Sequence, residues 1–345
     1  MLKRALAQLV ERRDLDREAV ARVFEIIFSG EATPAQIGAL LVALRMKGET
    51  AEEIAGAVEV MRRKATRVQA PARGPLLDTC GTGGDGAGTF NLSTATALVA
   101  AGAGAVVAKH GNRSVSSSCG SADVLAACGV RIDAPVAVVE RCLEEAGIGF
   151  LFAPSLHGVM RHVIGPRREL GVRSVFNLLG PLSNPAGAPR QLLGVYAPDL
   201  VLLVGRTLAA LGTSERALVV HGADGLDEVS PCGPTWAALV EGAKVREMTL
   251  APEEAGLARV AFSDLAGGDP AANAAKLRRL LEGEKGPLRE AVLLNAAVAL
   301  WVAGLAEDLR SGARLAAESI DRGAALAKLE SLARITSESG QEKAS

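Results

Sequence analysis

The apolar and polar positions of the first 70 residues follow one another as in consecutive short helices, and no strand pattern interrupts them. Ser, Thr and Asp are favoured just before the first helical residue, and Gly is favoured after the last one. These signals predict helices that begin after Asp16, Thr33 and Thr50 and end near Ser29, Gly48 and Thr66. The pattern indicates a small helical unit over residues 1–70.

After Pro71, short apolar runs alternate with segments of helical periodicity. This alternation is typical of an α/β fold with a largely parallel sheet. The predicted strands span residues 76–79, 105–108, 148–152, 192–196 and 217–221. From about residue 271 the chain continues as Ala- and Leu-rich helices that cover the sheet, and residues 337–345 form a polar tail. The loops after the strand ends are the expected place for a binding site.

The composition suits a folded chain of roughly two domains. Its 345 residues, 49% of them apolar, supply a large core. The 38 basic and 39 acidic residues give a net charge of -1, so no global field draws the protein to nucleic acid or to an anionic membrane. Two Trp, one Tyr and seven Phe are too few for a platform on which nucleic-acid bases stack. Any anion site must therefore be local.

The first residues mix charges into their apolar positions, unlike a signal peptide. The uncharged stretches 95–108 and 291–306 are shorter than the roughly 20 residues that a membrane span needs. We expect a cytoplasmic protein without a transmembrane helix. The five cysteines include no C-x-x-C pair, which favours buried thiols over a disulfide framework or a zinc site.

The most distinctive segment is the glycine cluster of residues 81–89, GTGGDGAGT, between a predicted strand and a helix that begins near Ser93. Glycine lets backbone amides approach an anion closely, and the helix N-terminus adds partial positive charge. The glycines match the G-x-G-x-x-G pattern, but dinucleotide-binding folds also need an acidic residue about 20 positions later. No acidic residue occurs between Asp85 and Asp123, and no Lys follows the glycines as in a Walker A loop. The cluster predicts a different kind of phosphate site, with a plain glycine-rich turn as the alternative.

A second polar loop follows the next predicted strand over residues 109–121, KHGNRSVSSSCGS. Lys109 supplies a point charge, and hydroxyl and amide groups can bond phosphate oxygens. Two such loops at neighbouring strand ends suit a sugar that carries several phosphates, although a solvated Ser-rich linker has the same composition. His110 is either a catalytic residue or an orienting or structural imidazole, and the sequence leaves both open.

Two further groups of charged residues carry candidate chemistry. Residues 221–228, HGADGLDE, place three carboxylates in a turn after a predicted strand. Asp227 and Glu228 are candidate Mg²⁺ ligands, because that ion takes one or two carboxylates together with substrate phosphate oxygens. A solvated acidic turn is the alternative. One arginine of a crowded segment can clamp a carboxylate, and spacing does not decide which among Arg161, Arg167, Arg168 and Arg173.

Three of these segments together resemble the anthranilate phosphoribosyltransferase family. They are the 81–85 loop with residues 91–94 (NLST), the 109–112 loop leading to residues 120–123 (GSAD), and residues 167–185. The resemblance extends over nearly the whole chain and includes the helical start, the acidic turn and the helical C-terminal part. Three motifs in the same order are far more specific than any one of them.

The resemblance implies a transferase that moves the ribose 5-phosphate group from phosphoribosyl pyrophosphate to the amine of anthranilate in tryptophan biosynthesis, releasing pyrophosphate, with Mg²⁺ as cofactor. It implies a homodimer and a nucleoside phosphorylase-like arrangement, in which a small helical domain lies against a larger α/β domain. The helical domain is expected over residues 1–70 with a contribution from about 165–187, and the α/β domain over 71–164 and 188–336. Neither nucleic acid nor a membrane is expected as a partner.

Carried over by motif, the residues expected to contact the phosphoribosyl donor are Gly81, Gly84, Asp85, Thr89, Asn91, Ser93, Thr94, Lys109, Asn112 and Ser121. Those expected to hold magnesium are Ser93, Asp227 and Glu228. Those expected near anthranilate are Gly81, His110, Asn112 and Arg167, with Arg167 facing its carboxylate. The chemistry agrees, because the departing pyrophosphate needs its negative charge neutralised and an aromatic amine attacks without prior deprotonation. We assign neither a covalent nucleophile nor a certain general base.

The chain departs from the family pattern in two loops. Ser118 and Cys119 stand where the family often has Lys and Ser, and residues 156–158 read Leu-His-Gly in place of a common His-His-Pro. Two alternative functions remain: a pyrimidine nucleoside phosphorylase-like enzyme and a non-catalytic nucleic-acid-binding relative. The Asp227–Glu228 pair disfavours the first, which needs no paired magnesium carboxylates, and the balanced charge disfavours the second.

Overall fold

The computed structural model describes residues 1–71, 74, 76–114 and 118–338. The α-helices within these ranges are α1 Leu2–Val10, α2 Arg17–Phe28, α3 Pro34–Lys47, α4 Ala51–Lys64, α5 Leu92–Gly102, α6 Ser121–Ala127, α7 Val136–Glu145, α8 Ala153–Leu156, α9 Arg161–Leu170, α10 Phe176–Leu179, α11 Asp199–Leu211, α12 Pro270–Leu281, α13 Pro287–Ala303, α14 Leu309–Asp321 and α15 Ala324–Glu338. The strands are β1 Leu76–Gly81, β2 Val106–Gly111, β3 Ile148–Phe152, β4 Arg190–Gly194, β5 Arg216–Gly222, β6 Thr235–Glu241 and β7 Lys244–Leu250.

The seven strands form one sheet in the order β3-β2-β1-β4-β5-β6-β7. The strands from β3 to β5 pair in parallel, and β6 and β7 continue the sheet as an antiparallel hairpin. The predicted fold class, a small helical part followed by a larger α/β part with a mostly parallel sheet, is confirmed. From β1 to β3 the chain adds strands toward one side of the sheet. It then returns, and β4 pairs on the other side of β1, so the order of strands reverses between β1 and β4.

The helices of the first 64 residues begin where the capping signals predict. Asp16 accepts a hydrogen bond from the Ala19 amide at the start of α2. Thr33 and Thr50 each form a capping box with the residue three positions later, at the starts of α3 and α4. Each side chain satisfies an amide that the first helical turn leaves without a partner.

Both faces of the sheet are covered, and alternate strand residues belong to different cores. In β5, Leu218 and Val220 pack in one apolar cluster with α5 and α13, whereas Ala217 and Val219 pack in another with α4 and α11. This arrangement explains why the parallel strands are near-continuous apolar runs in the sequence.

The segment after β3 returns to the N-terminal helices. Helix α9 packs against α2 and α3, and α10 packs against α4. Phe176 of α10 lies 5.7 Å from Phe24 and 6.1 Å from Phe28, measured between ring centroids. The four N-terminal helices therefore share their core with a segment more than 100 residues away in sequence.

The β6–β7 hairpin is absent from the sequence-based strands, which ended at β5. Its second strand is mostly exposed, so it carries no apolar run to reveal it. The two-residue Gly242–Ala243 connection, with Gly242 at φ 59°, was the available signal, because short Gly-containing loops favour hairpins. Smaller differences are β4, which begins two residues earlier than predicted, and α15, which continues to Glu338 into the expected tail. Residues 339–345 lie outside the described ranges.

Among the described helices, none combines the length and apolar character needed to cross a bilayer.

Candidate active site

Four neighbouring parallel strands end in glycine at the same edge of the sheet. These last residues are Gly81, Gly111, Gly194 and Gly222. A Cβ atom at Gly81 would lie 2.6 Å from Asp227 Oδ2, and one at Gly194 would overlap the Asp227 carbonyl oxygen. At Gly111 and Gly222 it would overlap the side chains of Ser121 and Asp224. Glycine is needed at these ends because loop groups pack directly on the strand backbone.

The glycine cluster forms a loop between β1 and α5 at this edge. Gly83, Gly84, Gly86 and Gly88 have φ angles of 64°, 81°, 75° and 63°, a region that other L-residues rarely adopt. The Gly83 amide donates to Asp227 Oδ2 at 2.7 Å. The left-handed conformations therefore explain the density of glycine, and Asp227 fixes the start of the loop.

Arg173 holds the other side of this loop. Its guanidinium donates to the Gly84 carbonyl oxygen and lies over the Tyr196 ring, 4.3 Å from the ring centroid. The sequence grouped Arg173 with three other arginines and assigned it no role. Neither partner is near it in sequence, so only the folded chain brings them together.

Lys109 lies beneath the loop at the end of β2, with 2% of its surface exposed. Its ammonium donates to the Thr79 carbonyl oxygen at 2.6 Å and to Ser93 Oγ at 3.3 Å. Burial lowers the pKa of Lys109, and the neighbouring carboxylate of Asp78 opposes that shift. The ammonium is thus a buried charge that touches both the end of β1 and the start of α5.

Asp227 and Glu228 enter the same place from the loop after β5. Glu228 Oε1 accepts a hydrogen bond from the Ser93 amide at 3.0 Å, in the first turn of α5. Burial and the charge of Asp85 raise the pKa of Asp227 to about 7. Burial and the charge of Asp227 raise the pKa of Glu228 to about 8. The repulsion among the carboxylates of Asp85, Asp227 and Glu228 is therefore stronger than the attraction that the single ammonium of Lys109 supplies.

Asn295 on α13 holds the acidic turn in place, and the sequence did not reveal it. Its side chain is fully buried, accepts from the Val229 amide at 3.0 Å and donates to the Val229 carbonyl at 2.9 Å. Asn295 thus makes, with the backbone of Val229, the two hydrogen bonds that a neighbouring strand would otherwise make. An amide within the apolar stretch of α13 that follows Glu290 was the available signal.

The donor set at this edge suits magnesium. Among the described residues, no group of three or more His, Cys, Asp and Glu side chains is arranged to hold a metal ion by itself. Asp227, Glu228 and the Ser93 hydroxyl supply oxygen atoms only, and the two carboxylates repel each other. Mg²⁺ is usually held by one or two carboxylates plus substrate phosphates, so this incomplete set fits it.

A pair of buried histidines lies beside Lys109. His110 Nε2 and His157 Nε2 are 3.2 Å apart, and the His110 ring also hydrogen-bonds the backbone of Gly180. Burial lowers the pKa of His110 to about 3 and that of His157 to about 4. Both rings are neutral near pH 7, and His110 is too weak a base to be poised for proton transfer there. Of the two roles that the sequence left open, the geometry favours orientation.

Arg167 lies on α9, where it packs against the first residue of α10. Its guanidinium lies 5.2 Å from the Phe176 ring centroid, and Phe176 begins the short helix that leads to Gly180 beside His110. Burial lowers the pKa of Arg167, and no carboxylate lies within 4.0 Å of it in the described part of the chain. A half-buried guanidinium without a counter-ion is a ready partner for a ligand carboxylate.

The remaining predicted residues lie in neighbouring loops with their own contacts. The Asn112 amide donates to Ser121 Oγ at 3.3 Å, which joins the loop after β2 to the start of α6. Asn91 bonds the Cys119 carbonyl and Asn273, so both ends of its amide are engaged. Thr89 pairs with Ala266, and Thr94 Oγ1 is buried without a partner among the described residues. The serines at 116 and 117 lie outside the described ranges.

Two family models match the chain. One, described as glycosyl transferase family, helical bundle domain, matches residues 3–65, and the other, described as glycosyl transferase family, a/b domain, matches residues 73–326. The fold and the site therefore define a glycosyl transferase with a helical and an α/β part. The anthranilate phosphoribosyltransferase of Myxococcus xanthus (strain DK1622) is 58% identical over 332 residues, which cover 96% of this chain and 98% of that protein.

Two solved structures are similar over nearly the whole chain. The anthranilate phosphoribosyltransferase of Thermus thermophilus has a TM-score of 0.90 and 46% identity, covering 96% of this chain and 99% of that one. The enzyme of Saccharomyces cerevisiae, solved in complex with PRPP and Mg, has a TM-score of 0.89 and 30% identity, covering 98% of each chain. The chain belongs to the anthranilate phosphoribosyltransferase family. The resemblance recognised in the sequence is confirmed.

The raised carboxyl pKa values predict how stability changes with pH in metal-free protein. Between about pH 4 and pH 8 the folded protein keeps protons on Asp227 and Glu228 that the unfolded chain releases. The free energy of unfolding is therefore expected to fall as pH rises through about 7 and 8. Asp227→Asn should reduce that fall by about 1–2 kcal/mol after allowance for solvent screening.

Urea titrations at pH 6 and pH 9 measure this effect. The control is Glu307→Gln, which removes one exposed acidic charge away from the site. An equal pH dependence in Asp227→Asn and the unaltered protein would contradict the proposed repulsion.

Proposed function

We propose that this chain transfers the phosphoribosyl group of phosphoribosyl pyrophosphate to the amine of anthranilate, giving N-(5-phosphoribosyl)anthranilate and pyrophosphate in tryptophan biosynthesis. The observation that carries the proposal is the meeting of Lys109, the glycine loop and the Asp227–Glu228 turn at one sheet edge. It places one buried cation, exposed amides and metal-binding oxygens around a single space. A sugar with a diphosphate leaving group needs these three kinds of group together.

The phosphoribosyl donor binds along the ends of β1 and β2. Backbone amides of the glycine loop beyond Gly83 supply hydrogen bonds to phosphate oxygens without a side chain in the way, and the N-terminus of α5 adds partial positive charge. Lys109 neutralises part of the charge that builds up as pyrophosphate leaves. The residues assigned to the donor are Gly81, Gly84, Asp85, Thr89, Asn91, Ser93, Thr94, Lys109, Asn112 and Ser121.

Magnesium is the proposed cofactor, held by Ser93, Asp227 and Glu228. When bound, the ion supplies positive charge that stabilises the departing pyrophosphate. The chain's own contribution is to hold two carboxylates close despite their repulsion, through the Gly83 and Ser93 amides. Relief of that repulsion by a cation is the physical reason for the assignment.

Anthranilate binds on the helical side, near Gly81, His110, Asn112 and Arg167. The guanidinium of Arg167, which has no ion-pair partner among the described residues, takes the carboxylate, and the neutral His110–His157 pair orients the ring and its amine. An aromatic amine needs no base before it attacks, so positioning accounts for most of the acceleration. No residue of the chain is assigned as a covalent nucleophile.

The reaction is tested directly by mixing purified protein with phosphoribosyl pyrophosphate, anthranilate and Mg²⁺ and following the loss of anthranilate fluorescence. Loss that needs all three components supports the proposal. Phosphorolysis of uridine or thymidine in phosphate buffer, with no loss of anthranilate fluorescence, would instead support the nucleoside phosphorylase alternative. A salt-dependent shift of labelled DNA, again without transfer, would support the nucleic-acid-binding alternative.

The proposed metal site predicts the magnesium requirement of the reaction. Changing Asp227 to Asn and Glu228 to Gln together should raise the Mg²⁺ concentration for half-maximal rate by at least about tenfold, because two charged ligands are lost. The measurement is a Mg²⁺ titration at saturating substrates, with Glu307→Gln as a control that removes one exposed acidic charge. An unchanged titration in the double variant would remove both residues from the metal site.

The proposed clamp predicts a selective effect on the acceptor. Arg167→Ala should raise the apparent KM for anthranilate by about tenfold or more and leave the KM for the sugar donor within about twofold, because a charge-assisted bond to the carboxylate is lost. Arg168→Ala, the exposed neighbour on the same helix, is the matched control. Equal rises in both KM values would contradict the clamp.

The protein forms a homodimer through its helical unit, which comprises residues 1–70 and about 165–187. Large apolar side chains are exposed on adjoining parts of this unit: Val10 by 74%, Met46 by 69%, Ile164 by 49% and Val172 by 58%. Helix α3 packs against both α1 and α9, so these side chains lie on neighbouring elements. Exposed apolar side chains grouped in this way are typical of an interface.

The dimer is tested by light scattering after gel filtration. We expect a dimer for the unaltered protein and a shift toward monomer for Ile164→Asp, because a buried unpaired carboxylate would oppose association. Leu305→Asp, an exposed apolar position in the α/β part, should leave the mass unchanged. A monomer at micromolar concentration in the unaltered protein would overturn the proposal.

A further inference from the structure

A large cavity lies on the edge of the sheet opposite the candidate active site. Its volume is about 1290 Å³, and it opens beside the first residues of β1 and β4, Leu76 and Arg190. The end of α4, the segments 67–70 and 184–189, and the residues after α11 form its walls. We call it the rear cavity. None of the groups assigned to the donor, magnesium or anthranilate lines it.

The rear cavity has an excess of positive charge. Four arginines and two glutamates line it, and three ion pairs engage most of them: Glu59 with Arg17, Arg63 with Glu25, and Arg190 with Glu215. Two cavity residues are left, Arg62 and Arg67, and among the described residues no carboxylate lies within 4.0 Å of either. Neither guanidinium is part of an ion pair within the described ranges, although the nearby carboxylate of Glu59 partly opposes the fall that burial causes in the pKa of Arg62.

Arg62 is held in place at the cavity wall. Its Nε donates to the Leu182 carbonyl oxygen at 2.8 Å, and its Nη1 donates to Thr213 Oγ1 at 2.7 Å. Burial lowers the pKa of Arg62 to about 10. These bonds fix the guanidinium plane and leave Nη2 without a hydrogen-bond partner in the described part of the chain. A fixed, partly desolvated fork of this kind binds a carboxylate or phosphate with little loss of side-chain entropy.

Part of the lining of the rear cavity is apolar. Val68, Leu76, Pro185, Pro189 and Leu211 contribute to it. A bare oxyanion would leave these side chains in contact with water, and cavities of about 300–1,000 Å³ already enclose organic ligands. The shape and lining therefore suit a ligand with a charged head and an apolar body.

We propose that the rear cavity is a second binding site, for a small organic anion whose oxyanion head pairs with Arg62 and Arg67 and whose apolar body contacts the apolar lining residues. The site differs from the candidate active site in its sheet edge, its lining residues and its need for no metal.

Occupancy of the rear cavity reaches the active site through one buried chain of hydrogen bonds. Asn184 lines the cavity and donates to Asp78 Oδ2 at 2.8 Å and to the Ala108 carbonyl at 2.9 Å. Asp78 Oδ1 in turn accepts from the His110 amide at 3.0 Å. A ligand that moves the 184–189 wall therefore shifts the end of β2. This coupling rests on the proposed function of His110, whereas binding in the cavity does not.

Binding is tested with 4-bromobenzoate, whose bromine can be located by anomalous diffraction and whose affinity is measured by calorimetry. We expect bromine in the rear cavity of both the unaltered protein and Arg167→Ala, which removes the proposed front carboxylate site. Arg62→Gln and Arg67→Gln should each weaken rear-cavity binding by about tenfold, the loss of one charge-assisted bond. Arg4→Gln, an exposed change on α1, should have no effect.

Three outcomes would overturn the site: bromine only at the candidate active site, no binding at all in Arg167→Ala, or affinities that are unchanged in Arg62→Gln and Arg67→Gln. Arg67 is exposed, so Arg67→Gln keeps the test valid if Arg62→Gln fails to fold. Inorganic phosphate is the second probe, and it should bind the rear cavity more weakly than 4-bromobenzoate. Equal affinity for phosphate and 4-bromobenzoate would show that the apolar lining residues do not contribute to binding.

Coupling is tested by steady-state inhibition. In the unaltered protein 4-bromobenzoate should lower the limiting rate as well as compete with anthranilate, and the Arg62→Gln/Arg67→Gln double variant should show competition alone. Pure competition in both proteins would disprove the coupling and leave the binding result standing. Absence of any transfer would disprove the proposed function, while calorimetry would still report on the cavity.

Discussion

The contact between the Asp227 turn and the glycine ends of β1 and β4 is the constraint on which the site depends. The turn packs so closely on Gly81 and Gly194 that a single methyl group at either position would displace it. This approach brings Asp227 to the Gly83 amide and Glu228 to the first turn of α5. The loops after β1, β4 and β5 therefore contact one another at one edge of the sheet. The strand order, in which β1 lies beside β4, makes these contacts possible.

The same contact stores electrostatic repulsion. Asp85, Asp227 and Glu228 are held together in a partly dry place, and Lys109 is buried next to them with backbone and hydroxyl partners. Proteins keep such arrangements where a ligand relieves them, since isolated buried charges are costly. A cation between the carboxylates and an anion beside Lys109 would each be stabilised, which is why metal and diphosphate are expected to bind together.

The helical part packs against a segment that is distant from it in the sequence. Phe176 joins α2 through the aromatic contacts with Phe24 and Phe28, and the same ring lies under Arg167. Asp78 and Asn184, both buried, link the loop that follows this segment to β1 and β2. The segment that carries Arg167 and Phe176 is therefore tied both to the N-terminal helices and to the sheet, and Asn184 of this connection also lines the rear cavity.

Local patterns in the sequence determined much of this protein. Caps at Asp16, Thr33 and Thr50 placed three helices, and the five apolar runs placed the parallel strands, because caps, apolar periodicity and glycine conformation act over a few residues. The motifs at the glycine loop, at Lys109 and over residues 167–185 also indicated the family. The β6–β7 hairpin was missed because its outer strand is exposed and carries no apolar run.

Only the tertiary structure decided which distant groups meet. Nothing near Arg173 in the sequence points to Gly84, and nothing near Asn295 points to Val229. The neutral state of His110 likewise follows from burial beside His157, a residue of another strand's loop. Contacts and electrostatic environments of this kind depend on how strands and helices pack, which no local stretch of the chain encodes by itself.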